Sequence, residues 1–247
     1  MIISGRGGIA PAVLFVRPEG RTHRESSMTS SFRFPLKSIL LLSFCLSLLV
    51  SMPPGVSAEE GVWSKQAFSV PRQRTFRIPS PDRKKAVVVQ EMMLAVIDGG
   101  VPVPGIEGYM IALPAEIAWA PDSKAFVLTA NEGGQDGTWY VTAYVLEFDR
   151  VNYYDVTAEA ADRFKERYAC LAGHEPNMGA VKWLKESKNL LVVAEAPDRS
   201  LCSDKGARRG FIVEVPTGNV ITELEPKKLQ DAWGEYLGSR IIKKSLR

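Results

Sequence analysis

Apolar and polar residues alternate with a period of two along much of the chain beyond residue 74, the pattern of strands that turn one face to a core. The runs predict strands over 74–78, 85–90, 94–98 and 101–106, then over 116–119, 125–131, 138–148 and 151–156. A third set opens at Val181 and continues over 189–196, 211–215 and 220–224. Pro102 and Pro104 lack amide hydrogens, which assigns 101–106 to a sheet edge. Gly99-Gly100 supplies the positive φ of a tight hairpin. Ahead of these lies a lead-in, 59–72, whose Trp63, Phe68 and Val70 predict one edge strand.

Two stretches follow the helical period instead. Thr157 is placed to cap a helix with Glu159 and Asp162 early and Lys165 and Arg167 late, as the helix dipole favours. Ala160, Ala161, Phe164 and Tyr168 share one face of it, and Gly173 closes it. A second helix is predicted over 226–237, opened by Pro226, and the basic tail 240–247 is expected to fray.

One pattern occurs three times. Ile117-Ala118-Trp119-Ala120-Pro121-Asp122-Ser123-Lys124 leads from a short strand through a turn into an apolar strand. Ile78-Pro79-Ser80-Pro81-Asp82-Arg83-Lys84 does so upstream, and Val181-Lys182-Trp183-Leu184-Lys185-Glu186-Ser187-Lys188 downstream. Asp82, Asp122 and Glu186 align, as do Lys84, Lys124 and Lys188. Pro at the second turn position presets φ, and the following Asp can accept from nearby amides, so these acids read as turn residues rather than catalytic carboxylates. A repeat of this size points to stacked β-units.

The three turns, with the returns Ile97-Asp98-Gly99-Gly100 and Val215-Pro216-Thr217-Gly218, resemble the TolB-like or WD40-like β-propeller repeat. That repeat runs from an aromatic strand through Ser-Pro-Asp-Gly-Lys to an apolar strand and an Asp-x-x-Gly hairpin. The likeness covers about residues 74–225. It is weaker in the third unit, where Lys185-Glu186 stands in place of Pro-Asp. All three units replace the motif's glycine, with Arg83, Ser123 and Ser187. The resemblance implies a mainly β fold, a propeller-like array of about three four-stranded antiparallel blades with one inserted helix and a C-terminal helix. It specifies a blade and carries over no functional residue. Closed propellers typically need four or more blades. Either a divergent fourth blade is assembled from the termini, or the array stays open and its end sheets are covered by the helices or by another chain.

The chain's start changes the compartment expected. Phe32-Arg33-Phe34-Pro35-Leu36-Lys37 is basic, an apolar run of 12 residues covers 39–50, and Val56-Ser57-Ala58 precedes Glu59. This order is that of an export signal with cleavage after Ala58, and the run is shorter than the roughly 20 residues that span a bilayer. Met28 gives a conventional start. Residues 1–58 are therefore set apart as extension and signal, and 59–247 as a single domain, periplasmic or secreted. Of 31 Lys and Arg and 28 Asp and Glu, the first 58 residues hold six and two, leaving 25 basic against 26 acidic. No basic excess remains to neutralise phosphates, so nucleic acid is not an expected partner.

Chemistry is sparse. The segment beyond residue 58 has one histidine, His174, and no Cys-x-x-Cys, His-Glu-x-x-His or Gly-x-Ser-x-Gly motif, so neither a metal, a cofactor nor a catalytic residue is assigned. Trp119 and Trp183 read as core residues rather than sugar platforms. In a four-stranded blade, the connector between blades and the loop between strands two and three emerge at one end. That would bring Cys170 and Cys202 to the same end, and a disulfide between them is expected in an oxidising compartment. The same end gathers the loops 132–137, 157–178 and 197–210. Glu132, Gln135 and Asp136 with Arg199, Arg208 and Arg209 are the candidate binding residues, the arginines suited to a carboxylate-bearing partner. The expected function is a non-enzymatic scaffold that binds a protein partner, with self-association through open blade edges a further possibility. The alternatives are a carbohydrate- or metal-binding module and a secreted hydrolase.

Overall fold

The computed structural model describes residues 60–244 except 73–74, 107, 134–136, 172, 199–202 and 204. The chain is mainly β, built from three antiparallel sheets of four or five strands. The first sheet orders β2 (Phe76–Pro79), β3 (Lys85–Gln90), β4 (Met93–Asp98) and β5 (Val101–Val103), with β6 (Tyr109–Met110) also on β4. The second orders β1 (Phe68–Ser69), β7 (Ala115–Trp119), β8 (Ala125–Asn131), β9 (Trp139–Glu147) and β10 (Arg150–Asp155). The third orders β11 (Asn177–Leu184), β12 (Asn189–Glu195), β13 (Arg208–Glu214) and β14 (Val220–Leu224). Helices α1 (Ala158–Arg167), α2 (Pro226–Trp233) and α3 (Ser239–Lys244) complete the described fold. Among the described residues no helix is long and apolar enough to cross a membrane.

Alternation along the strands sends side chains of the second sheet to two cores. Ile117, Phe126, Leu128 and Tyr144 meet Ile78, Val87, Leu94 and Val96 of the first sheet. Phe126 and Tyr144, cross-strand neighbours on β8 and β9, stack at 4.6 Å with planes 3° apart. Val127, Val141 and Ala143 face the third sheet's Ala180, Leu190, Val192 and Phe211 instead. Both faces of β8 and β12 are therefore dry: every position is buried, and 125–128 and 190–194 are continuous apolar runs. Helix α1 adds Ala160, Ala161 and Phe164 to the core between the second and third sheets. The far face of the third sheet is covered by Leu229 of α2, Ile241 of α3, Leu237 and Trp63.

The same step recurs from sheet to sheet. The Trp119 indole donates to the Ile78 carbonyl at 3.1 Å, and the Trp183 indole donates to the Ala118 carbonyl at 3.0 Å. Ile78 and Ala118 hold equivalent places two residues ahead of their turns. The turns are linked as well: the Ser123 hydroxyl accepts from the Asp82 amide at 3.0 Å, and the Ser187 hydroxyl donates to Asp122 Oδ2 at 2.7 Å. Within the first two turns the aspartates accept from the Lys84 and Lys124 amides, at 3.0 and 3.1 Å. Arg83 and Ser123, at the positions of the motif's glycine, both take φ +60°. In the third turn the positive φ values fall on Lys185 and Glu186, not on Ser187. Without Pro to preset the first bend, that turn closes by a different path.

Other boundaries shift for local reasons. In the lead-in the strand is confined to Phe68–Ser69, against β7; Glu60 bridges to Phe68 and Ser64 to Leu237, and around Trp63 it is held by the Glu116 carboxylate and by the backbone of the C-terminal segment. β5 ends at Val103, because the Pro104 carbonyl accepts from Val151 at 2.8 Å and a β-carbon at Gly105 would strike the Val151 carbonyl. β11 opens at Asn177, four residues before the expected Val181, and a bulge between Ala180 and Lys182 breaks its alternation. β13 opens at Arg208 rather than Phe211. Thr157 occupies the cap position of α1, but its amide and hydroxyl both donate to Asp155 Oδ1, at 2.9 and 3.0 Å. Of the tail expected to fray, 240–244 belongs to helix α3, with Ile241 buried, and 245–247 lie outside the described residues.

Candidate functional site

The loop that joins β8 to β9 is organised from its first residue. Asn131, buried, donates from Nδ2 to the Gly137 carbonyl at 2.7 Å and accepts at Oδ1 from the Gly133 amide at 2.9 Å. These bonds turn the chain back and leave Glu132 exposed at the rim. Gln135 and Asp136 lie outside the described residues, as do Arg199 and Cys202. Cys170 lies in a single 3-10 turn, Ala169–Leu171, directly after α1. Among the described residues no three His, Cys, Asp or Glu side chains are grouped as metal ligands would be.

Arg208 and Arg209 are adjacent on β13, so they point to opposite faces of the third sheet. Arg208 points toward α3. Its guanidinium is 7% exposed and lies 3.7 Å from Glu195 Oε2, donating to the carbonyls of Ile241 and, at 3.2 Å, Arg240. Burial lowers its affinity for the proton, the Glu195 charge raises it, and Arg240 lowers it again; burial prevails. Glu195 is fully buried and also accepts from Arg240 at 3.1 and 3.2 Å. This Arg-Glu-Arg group clasps α3 to the third sheet. Arg209 is on the α1 side, donating to Glu223 at 2.8 Å and Glu225 at 2.5 Å. The two described arginines, on opposite faces of the third sheet, thus do not form one cluster. Each of the two described has carboxylate partners within its own sheet neighbourhood.

A groove of about 290 Å³ lies between β7 and β11, the opening strands of the second and third sheets. Trp119, Thr129, Lys182, Trp183, Glu116 and Gln66 line it. The Thr129 hydroxyl is held by the Ala180 amide at 3.1 Å, and the Lys182 ammonium lies 3.1 Å from the centre of the Tyr236 ring. Glu116, 3% exposed, is the one carboxyl in the lining. Its Oε1 accepts from the amides of Val62 at 2.5 Å and Trp63 at 3.0 Å, and its Oε2 lies 3.3 Å from the latter. Burial pushes this carboxyl up to about 7, against the amides of Trp63, Val62 and Ser64 and the Arg240 charge, which pull it down.

Glu116 fixes the lead-in, and the lead-in is stitched to the C-terminal segment. Gly238 and Arg240 donate to the carbonyls of Trp63 and Val62, at 2.8 and 2.9 Å, and the Ser64 hydroxyl donates to Val181 at 2.6 Å. The Arg240 guanidinium sits over both Trp63 and Trp139, at 5.0 and 5.7 Å. Neither Glu116 nor Glu195 was singled out from the sequence, although each is the one acid of its strand. The one available signal was that each sits inside an apolar run, beside Ile117 and Ala118 or after Val193 and Ala194. Compared with protein-family models and with curated proteins, the chain has no match.

Proposed function

We propose that the chain is an exported, non-enzymatic scaffold of propeller-like blades that binds a protein partner at its loop end. The carrying observation is the repeated inter-sheet step, in which Trp119 and Trp183 make the same indole-to-carbonyl bond, while Ser123 and Ser187 each tie their turn to the preceding one, the first by accepting from the Asp82 amide and the second by donating to the Asp122 carboxylate. A fixed step between equivalent sheets is how blades stack, and it makes a rigid support for loops. Export accords with cleavage after Ala58, because Glu60, the residue after the new terminus, already bridges to Phe68. Pairing of Cys170 with Cys202 belongs to the same proposal.

With Arg208 and Arg209 engaged by Glu195, Glu223 and Glu225, recognition falls chiefly to the loop carrying Glu132, Gln135 and Asp136 and to Arg199. A photo-crosslinking residue placed at Glu132, and separately at Asp82 on the opposite turn end, tests this in cells that export the protein. A defined protein adduct from position 132 and none from position 82 is expected. Adducts from position 82 alone would show that the functional end is the other one. A thermal shift with soluble glycans or divalent cations, and no protein adduct, would favour the carbohydrate- or metal-binding reading. Turnover of a hydrolase substrate would remove the scaffold reading altogether.

A further inference from the structure

The hairpin from β9 to β10 closes through Phe148 and Asp149, with Glu147 and Arg150 paired across it. Phe148 takes φ +56°, the first central position of a two-residue hairpin, where a β-carbon is crowded and glycine is normally found. The residue is nonetheless fully exposed, so the ring forms no part of either core. An aromatic ring is therefore held in water from a backbone position that disfavours it, a combination that points to use at an interface. Beside the ring lies a groove of about 410 Å³, walled by Val101, Pro102, Pro104 and Leu146. Val101 is itself 67% exposed. The rim carries both signs of charge: Lys124 and Arg150 are exposed, and so are Asp98 and Asp149, with Lys85 3.8 Å from Asp98.

One patch thus holds a projecting ring, an apolar groove, and mixed charges around them. A patch that carries both halves of a contact is complementary to its own copy under a two-fold rotation. A partner of a single charge sign would meet like charge somewhere on this rim, whereas a second copy can set each sign against the other. We propose that two copies of the chain associate through this face. Each Phe148 ring enters the other copy's groove between Val101 and Leu146, and Asp149 of one copy faces Lys124 of the other. The patch is small, so the dimer belongs to the weak class of interfaces. The inference stands apart from partner binding at the loop end, since Ser123 and Lys124 place this groove at the turn end.

Sedimentation velocity of the full chain, from about 5 to about 500 µM, is the test, a range suited to weak contacts. A concentration-dependent shift from monomer to dimer is expected. Phe148→Gly removes the ring and suits the backbone, so it should weaken dimerisation by at least about thirtyfold, the loss expected of an aromatic anchor. The melting temperature of that variant should hold or rise. Independently of that variant, Lys124→Glu and Asp149→Lys should each weaken the dimer, and the double variant should restore it. A wild-type chain that stays monomeric throughout would overturn the proposal. So would a dimer indifferent to all of these substitutions, or a monomer whose Phe148 instead binds a different protein.

Discussion

Replacing Glu116 by Gln should change how stability depends on pH. In the folded chain burial holds this carboxyl at about 7, against an ordinary value of 4.5. A folded value above the unfolded one means that the native state binds the proton more tightly. The resulting stabilisation is fully present below about pH 4.5, declines as pH rises through 7, and is absent above it. The gap between the two values corresponds to about 3 kcal/mol, at about 1.4 kcal/mol per tenfold change in affinity. Oε1 accepts from the Val62 and Trp63 amides, at 2.5 and 3.0 Å. A Gln side chain keeps Oε1 in place and cannot ionise. The assay is urea unfolding of wild type and Glu116→Gln at pH 4.5 and pH 8. The stability difference between them should move by about 3 kcal/mol in favour of the variant at the higher pH, or roughly 6–12 °C in Tm. A difference that is the same at both pH values would show that Glu116 does not titrate between them, and the reasoning from burial would fail.

Trp183→Phe removes the donor to the Ala118 carbonyl and Trp119→Phe the donor to Ile78; each should cost about 1–2 kcal/mol in chemical denaturation, and unequal costs would count against their equivalence. Glu195→Ala leaves the Arg208 guanidinium buried without its counter-charge and should cost about 3–5 kcal/mol, read by thermal melting, with Glu195→Ala/Arg208→Met milder than the single change. Arg83→Gly relieves a φ of +60° at an exposed turn and should raise stability by up to about 1 kcal/mol, measured as a higher urea midpoint at unchanged slope. Protein prepared under oxidising conditions should show no free thiol at Cys170 or Cys202 after denaturation, and reduction should cost about 3–4 kcal/mol; two reactive thiols would refute the pairing.

The period-two pattern alone located β3 and β14 residue for residue and β8 likewise, because each alternates or runs apolar between clear turn signals. It located the first two turns for the same local reason, since Pro81 and Pro121 preset φ and Asp82 and Asp122 accept from the amides two residues on. Arg83 and Ser123 stand where the repeat has glycine, and the positive φ they take is a property of the turn itself. The third turn shows the limit of this reasoning. Ser187 aligns with Arg83 and Ser123, yet the left-handed residues are Lys185 and Glu186, because a turn without proline takes its path from the strands it joins.

What the tertiary structure decided are the features whose partners lie far away in sequence. Arg208 reads as a solvent-facing donor until Glu195 and the α3 backbone close over it, and β13 begins there because that burial completes its pairing. The C-terminal segment is helical instead of frayed because Ile241 is buried against the third sheet and Arg240 reaches Glu195. Glu116 and Trp63 stand more than fifty residues apart, and only folding places the lead-in amides over the carboxyl. Local chemistry sets strands and turns through each residue's own neighbours, so it can be read along the chain. Burial of a charge, and hence its affinity for a proton, depends on which distant segments exclude water from it, and that is decided only when the sheets and termini pack.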